Sequence, residues 1–346
     1  MLIVADDLTG AADCAGVFAT AGHCTVVVLG GPGSDLSPEV ANAGVVAVDT
    51  NGRLLDEEDA FLATANAVRS SPHRPVFVKI DSTLRGHIRA TVLAVLSALE
   101  TAPSHVVICP AFPALGRTVV DACVHVDGEP LADGSLRNAL RGFPANAGLF
   151  IPAVRTDDDL ATVVKRFHDP AHPSDTLWVG SAGLARHLVG LADTPAASTS
   201  IEMTDANRIA VVAGSQHDRT MAQLARLDGA AQRSTNSQVF RVDPSDQDFL
   251  DQILPTLRKV DGLILTGGQT ARMVLDGLAV KHITIGGEVE IGMPWATAMI
   301  PVDEAHQPVT LVTKAGGFGD DTALVTAAEF LYRGGPPGTT RDPDRV

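Results

Sequence analysis

The chain opens on an apolar run, Met1 to Ala5, that stops abruptly at Asp6 and Asp7 and continues through Leu8, Thr9 and Gly10. Strands buried on both faces of a parallel sheet read as unbroken apolar runs, and open α/β sheets bind their ligands just beyond the carboxyl ends of such strands. The two carboxylates therefore stand where an α/β fold does its chemistry. Residues 11–19 are rich in small helix-compatible side chains, so the loop is expected to feed a helix whose first amides also face a ligand, with Thr9 as its N-cap. Asp6 and Asp7 read either as caps that hold loop amides or as groups that serve a reaction, and the two readings are compatible.

Similar apolar runs recur between helix-like stretches at residues 25–29, 45–48, 76–80, 106–109 and 176–179. Strands alternating with helices predict a parallel sheet covered by helices. From Ala192 to Asn207 the periodicity lapses into Asp, Thr, Pro, Ala and Ser, which reads as a linker. The pattern then restarts with strand candidates at 208–213, 239–242, 262–265 and 310–313. The expected architecture is α/β: two α/β domains with mainly parallel sheets, residues 1–200 and 205–335, with a poorly ordered tail over 336–346. At 346 residues, 45% of them hydrophobic, the chain has material for two cores.

Two further polar clusters close strands in the first half. Lys79, Asp81, Ser82, Thr83, Arg85 and His87 crowd one loop, where a guanidinium could grip a carboxylate bidentately. The same residues read equally as a surface salt-bridge cluster in which Ser82 or Thr83 caps a following helix. Pro110 and Pro113 stiffen a third strand exit that carries Arg117. Three polar strand ends predict a crevice for a small, oxygen-rich, anionic ligand. The second half differs: Gly214 and Ser215, then Gly267, Gly268, Gln269 and Thr270, then Gly316, Gly317, Phe318 and Gly319 follow its strands with little side-chain bulk. Such loops let backbone amides approach a phosphate, and three of them in one half point to a nucleotide. Neither the Walker A pattern nor the dinucleotide fingerprint is present.

The composition narrows the partners. With 26 Lys and Arg against 41 Asp and Glu, the formal net charge is −15, and no basic run interrupts it, so nucleic acid is not an expected partner. No apolar run approaches the roughly 18 residues of a membrane span, and the N-terminus lacks a basic region before a cleavage site, so a cytoplasmic protein is expected. Cys14, Cys24, Cys109 and Cys123 show no paired spacing and read as free thiols. No histidine spacing forms a metal site, and the stretch from Gly180 to Ala185 does not meet the nucleophile-elbow pattern; it reads as a tight strand-to-helix turn.

At these residues the chain resembles the four-carbon acid sugar kinase family. The resemblance rests on residues 5–13, 79–86, 110–118, 180–185, 214–216, 267–271 and 314–319, in family order, and spans nearly the whole chain apart from the tail. It implies an N-terminal acid-sugar-binding domain, a C-terminal nucleotide-binding domain and an active site in a cleft between them. The activity it implies is ATP-dependent phosphorylation of an acid such as threonate, erythronate or a 3-oxo-tetronate. One departure is visible: where relatives follow the Gly-Arg-Thr segment with a Thr- and Glu-rich stretch, residues 127–137 and a short passage to Ile151 stand instead. The middle is abbreviated, which bears on substrate choice rather than on reaction class.

The resulting expectation is phosphoryl transfer from ATP, with Mg²⁺ bridging the phosphates, by a site that works through positioning and charge. Asp6 or Asp7 is expected to orient or deprotonate the attacking hydroxyl and Arg85 to hold the substrate carboxylate, with Lys79, Asp81, Ser82 and Arg117 completing the acid pocket. Ser215, Gly267, Gly268, Gln269, Thr270, Gly316, Gly317 and Gly319 are expected to hold ATP. The spacing assigns no carboxylate to Mg²⁺, and a homodimer is an open expectation. The rival readings are a dehydrogenase or aldolase of sugar acids, disfavoured by the missing dinucleotide and metal motifs, and a non-catalytic regulator that binds nucleotide or sugar acid.

Overall fold

The computed structural model describes residues 1–30, 40, 42–71, 75–172, 175–192, 203, 206–234, 237–243, 246–302 and 305–335. The chain divides into two compact units, Met1–Ala197 and Ser198–Val346. Most of the predicted linker and all of the predicted tail at 336–346 lie outside the described residues.

The first unit contains β1 (Leu2–Ala5), β2 (Thr25–Leu29), β3 (Val45–Asp49), β4 (Val76–Lys79), β5 (His105–Cys109), β6 (Arg117–Val120), β7 (Cys123–Val126), β8 (Glu129–Ser135), β9 (Leu149–Phe150) and β10 (Thr176–Gly180). Seven of these form a parallel sheet in the order β2-β3-β1-β4-β10-β5-β9. Its strands are apolar throughout because both faces are covered: Leu2, Ile3 and Val4 are wholly buried, as are Val45, Val46 and Ala47. The chain lays β2 and β3 on one side of β1 and then crosses to place β4 on the other. The carboxyl ends of β1 and β4 thus flank the point where strand order reverses, the position at which open α/β sheets bind ligands. A separate antiparallel sheet, β6-β7-β8, follows the Pro113 turn.

Helix α1 (Leu8–Thr20) packs on β1, β2 and β3 through small side chains, among them Ala11, Ala12 and Ala15, all fully buried. Its N-cap is Asp7, which accepts from the Gly10 amide, and not Thr9, whose hydroxyl instead donates to Asp7 Oδ2 at 2.8 Å. A carboxylate is at least as good an N-cap as a threonine, and the extended backbone at Asp7 suits the role. The unit also contains α2 (Glu57–Arg69), α3 (Ile88–Ala98), α4 (Leu136–Ala139), α5 (Asp157–Phe167) and α6 (Ala182–Ala185). Neither Ser82 nor Thr83 caps α3: its N-cap is His87, with no side-chain hydrogen bond to the first turn. Ser181 caps α6 directly after β10, the tight turn expected at that glycine-rich stretch.

The second unit contains β11 (Ile209–Ala213), β12 (Ser237–Arg241), β13 (Gly262–Thr266), β14 (His282–Glu290), β15 (Met293–Val302) and β16 (Ala305–Lys314), with α7 (Asp218–Ser234), α8 (Gln247–Leu257), α9 (Gly268–Gly277) and α10 (Ala323–Arg333). Strands β12-β11-β13-β16 are parallel, and again the order reverses, here between β11 and β13. The expected run at 310–313 is the end of a ten-residue strand, and β14, β15 and β16 form an antiparallel meander absent from the sequence reading. Among the described residues no helix is long and apolar enough to cross a membrane.

Candidate active site

In the first unit, three strand ends converge, those of β1, β3 and β4. Asp6 and Asp7 follow β1; Lys79 ends β4 and Asp81 and Ser82 follow it; all but Asp7 are buried. The third end, that of β3, contributes Arg53, which was missed in the sequence. After β3 the chain turns through Asn51, at φ 54°, into a short 3₁₀ turn, Gly52–Leu54, and the Arg53 amide bonds the Asp6 carbonyl at 3.1 Å. Its guanidinium then reaches both carboxylates: Nη2 lies 2.7 Å from Asp6 Oδ1 and 3.1 Å from Asp7 Oδ1, Nη1 3.0 Å from Asp7 Oδ2, and Nε 3.1 Å from Asp6 Oδ2. Asp81 Oδ1 is 3.9 Å from Nη2. The signal was the Asn51-Gly52 turn, a polar end to an apolar strand like the other two.

Asp81 is held mainly by Arg85, with Nη2 at 2.7 Å and Nε at 3.0 Å, and also accepts from the Thr83 hydroxyl and amide. Lys79 Nζ donates to the Ile80 carbonyl at 3.0 Å. The Arg85 side chain is 64% exposed, so it can meet an incoming anion. Arg117 starts β6, pairs with Val126 and Phe112, and its guanidinium turns onto the Leu115 carbonyl. The proline-bounded turn from Pro113 to Gly116 folds that arginine back on its own loop.

The charges settle in a definite pattern. Burial pushes Asp6 above the usual carboxylate range, and the neighbouring Asp7 adds to this, although Arg53 pulls the other way. Two carboxylates share one guanidinium, so the more deeply buried one keeps its proton more readily. Burial alone would weaken Arg53 as a cation, but Asp7 and Asp6 more than offset it and hold it charged. Lys79 follows the same logic: burial opposes its charge, while the neighbouring Cys14, Asp7, Asp13 and Asp81 raise it. Burial also opposes ionisation of Asp81, yet the Arg85 hydrogen bonds and charge, then Arg53 and Lys79, hold it well below the usual range.

Glycines fix the spacing. A Cβ on Gly10 would lie 2.5 Å from Asp7 Oδ1 and 2.9 Å from Lys79 Nζ, and one on Gly86, already at φ 88°, would collide with Asp6 Oδ2. On the other side of Gly86 a cavity of about 580 Å³ opens, lined by Leu84, His87, Arg89, Asp133, Asn138 and Arg141 among others. One wall is therefore built from β8 and α4.

In the second unit, the predicted nucleotide residues also gather at strand ends. Ser215 follows β11, Gly267 follows β13 at φ 101° and caps α9, and Gly316 follows β16. A Cβ on Gly267 would be 3.4 Å from Thr270 Oγ1 and 3.6 Å from Ser215, and one on Gly316 would collide with Ser215 Oγ. Gly317 faces His217 and Gly319 faces Gln223. Gln269 lies in the first turn of α9 beside Gly268. The Gly267 amide itself is spent on the Lys314 carbonyl at 2.9 Å, so this glycine contributes the turn rather than a donor. Lys314, fully buried at the end of β16, is pushed down to about 7 by burial and then by Arg219. The half-buried Glu290 is raised by burial and by Asp320.

The described residues contain no group of three or more His, Cys, Asp or Glu side chains that could hold a metal ion, and Asp6 and Asp7 are engaged by Arg53. They build no cage for Mg²⁺; such an ion would ride with nucleotide phosphates, as it does where one or two carboxylates suffice.

A family model described as a sugar-binding N-terminal domain matches residues 1–141, and one described as a nucleotide-binding C-terminal domain matches residues 247–324. The D-threonate kinase of Cupriavidus necator is 30% identical, over 97% of this chain and 99% of its own. The 3-oxo-tetronate kinase of Burkholderia multivorans is 24% identical, over 91% of this chain and 94% of its own. Among solved structures, one from Salmonella typhimurium LT2 superposes with a TM-score of 0.68 at 19% identity, covering 94% of this chain and 98% of that one. Haemophilus influenzae protein HI1011 superposes with 0.65 at 17% identity, covering 96% and 100%. At such identities the structural likeness is one of fold.

Proposed function

The chain belongs to the four-carbon acid sugar kinase family and is a sugar-acid kinase; from that premise we propose that it transfers the γ-phosphoryl group of ATP to a hydroxyl of a four-carbon sugar acid. The observation that carries this reading is the contrast between the two strand-order reversals. The first is lined with charged side chains, Asp6, Asp7, Arg53, Lys79, Asp81 and Arg85, and the second with glycines and hydroxyls. A sugar acid needs the former and a polyphosphate the latter.

In this reading the acid binds the first unit. Arg85, exposed beside Asp81, takes its carboxylate; Ser82 and Lys79 meet its hydroxyls; Asp6 or Asp7 orients the attacking hydroxyl and accepts its proton. ATP binds the second unit through Ser215, the 267–270 turn and the Gly316–Gly319 loop, and Mg²⁺ accompanies it, neutralising phosphate charge. Phosphoryl transfer asks for position and electrostatic stabilisation more than covalent help, which this inventory supplies. The cavity wall formed by residues 132–141 is where substrate choice is set.

D-threonate is the first substrate to test, given the 30% identity to a D-threonate kinase. A coupled assay of ADP release with D-threonate, erythronate and 3-oxo-tetronate, with mass spectrometry of the acid, tests the reading. A phosphorylated acid formed only with ATP supports it. Binding of acid and ATP without ADP release would make the protein a regulator instead.

A further inference from the structure

The Gly316–Gly319 loop is held from behind by Lys314 and by side chains of α7, the latter outside the nucleotide-binding match. Lys314 Nζ donates to the carbonyls of Ala315 at 2.9 Å, Gly316 at 3.2 Å and Phe318 at 3.0 Å. From α7, Thr220 Oγ1 donates to the Gly316 carbonyl at 2.9 Å, and Gln223 Nε2 to the carbonyls of Phe318 at 3.0 Å and Asp320 at 2.6 Å. Arg219 Nη1 donates to the Gly319 carbonyl at 3.2 Å. Thr220 and Gln223 are fully buried. Helix α7, Asp218–Ser234, precedes the matched residues 247–324.

A trans peptide is planar, with the carbonyl of one residue and the amide of the next pointing in opposite directions. Fixing the carbonyls of Ala315, Gly316, Phe318 and Gly319 toward α7 and Lys314 therefore turns the amides of Gly316, Gly317, Gly319 and Asp320 the other way. No described residue accepts a hydrogen bond from any of these four amides. The one reversed peptide is consistent: the Phe318 amide points inward, to the Ala315 carbonyl at 3.1 Å. Successive outward amides make a concave anion site.

We propose that Thr220, Gln223 and Lys314 are positioning residues that hold this loop with its carbonyls inward, so that the outward amides form a preformed cradle for the phosphate oxygens of a nucleoside di- or triphosphate. The proposal rests on the assignment of the nucleotide to the second unit. It also gives Lys314 a task unlike that of a phosphate-binding lysine: its Nζ is directed at the loop's own carbonyls.

The test is calorimetric titration of ADP into the full chain, with steady-state kinetics and thermal melting on the same variants. Gln223→Met keeps the shape and removes both donors; Thr220→Val removes the hydroxyl and Thr220→Ser restores it. The expected result is a Kd for ADP and a KM for ATP raised about tenfold or more in Gln223→Met and Thr220→Val, a KM for the acid within about twofold of wild type, and recovery in Thr220→Ser; tenfold corresponds to about 1.4 kcal/mol. Lowered melting temperatures with an unchanged ADP Kd would make these residues merely structural and overturn the positioning role alone. Failure of the wild-type chain to bind ADP would overturn the nucleotide assignment and the cradle with it.

Discussion

Arg53 grips both oxygens of Asp6, at 2.7 and 3.1 Å, while giving two further donors to Asp7. One planar cation thus fixes the relative orientation of two adjacent carboxylates, something a lysine ammonium cannot do. Arg53→Lys is expected to lower kcat by about 10²-fold or more while the fold persists, in line with loss of a positioned acid–base group. Turnover close to wild type would remove Arg53 from the site.

The same pair makes a pH prediction. Burial already places Asp6 above the ordinary carboxylate range, so the acid limb of kcat/KM should lie above about pH 4. Arg53→Met removes the cation that favours the ionised form, so the limb should move to higher pH. A pH–rate profile in which Arg53→Met leaves the limb in place would show that neither group governs it.

Asp81 titrates with the opposite sign. Its carboxyl is held below the usual range, despite burial, chiefly by Arg85, so it contributes stability that is present above about pH 4 and is lost as pH falls through that value toward its own. Asp81→Asn should therefore cost about 1–2 kcal/mol at neutral pH, toward the lower end because Arg85 is largely exposed. The gap to wild type should narrow in denaturant melts at about pH 3. A gap that is constant with pH would mean the charge is not the cause.

Gly10→Ala separates stability from activity. Alanine is the better helix former by about 1 kcal/mol, but its Cβ would stand 2.5 Å from Asp7 Oδ1 and 2.9 Å from Lys79 Nζ. We expect a melting temperature near wild type with kcat reduced at least about tenfold, since small misplacements of reacting groups are costly. Full activity in this variant would show that Asp7 has room to spare.

Arg85→Lys replaces a planar fork by a point charge. The KM for the acid should rise about tenfold or more, with the KM for ATP unchanged. Equal weakening of both would assign Arg85 to holding Asp81 and nothing else.

The strands of both parallel sheets were legible because burial on two faces leaves little but Val, Ile, Leu and Ala in them, and their ends were legible as abrupt polarity. The meander was not. Strands β14 and β15 are punctuated by Gly286, Gly287, Gly292, Pro294 and Pro301, and the Cβ that Gly286 lacks would occupy the space of the Trp295 ring. That is a tertiary reason for a glycine, invisible locally. The carboxylates of the candidate site could be found from one strand end, but Arg53 lies 47 residues from Asp6 and its role needs β3 to lie beside β1. Thr220 and Gln223 look like ordinary polar positions on a helix until the loop some 95 residues later is folded against them. The cap of α1 was misread because Asp7 and Thr9 both suit the position and only backbone geometry chooses.

Asp7 has two allegiances: it caps α1 through the Gly10 amide at 3.0 Å and it faces Arg53. Selection on the fold and selection on turnover consequently meet at one codon. A descendant that had abandoned phosphorylation would still be under pressure to retain a cap there, because replacing a capping side chain by alanine costs about 0.5–2 kcal/mol. Its ancestry would be written as Asn or Ser at position 7 with Arg53 free to drift, whereas under the proposed role of Asp7 a lineage that still turns over substrate keeps the carboxylate itself.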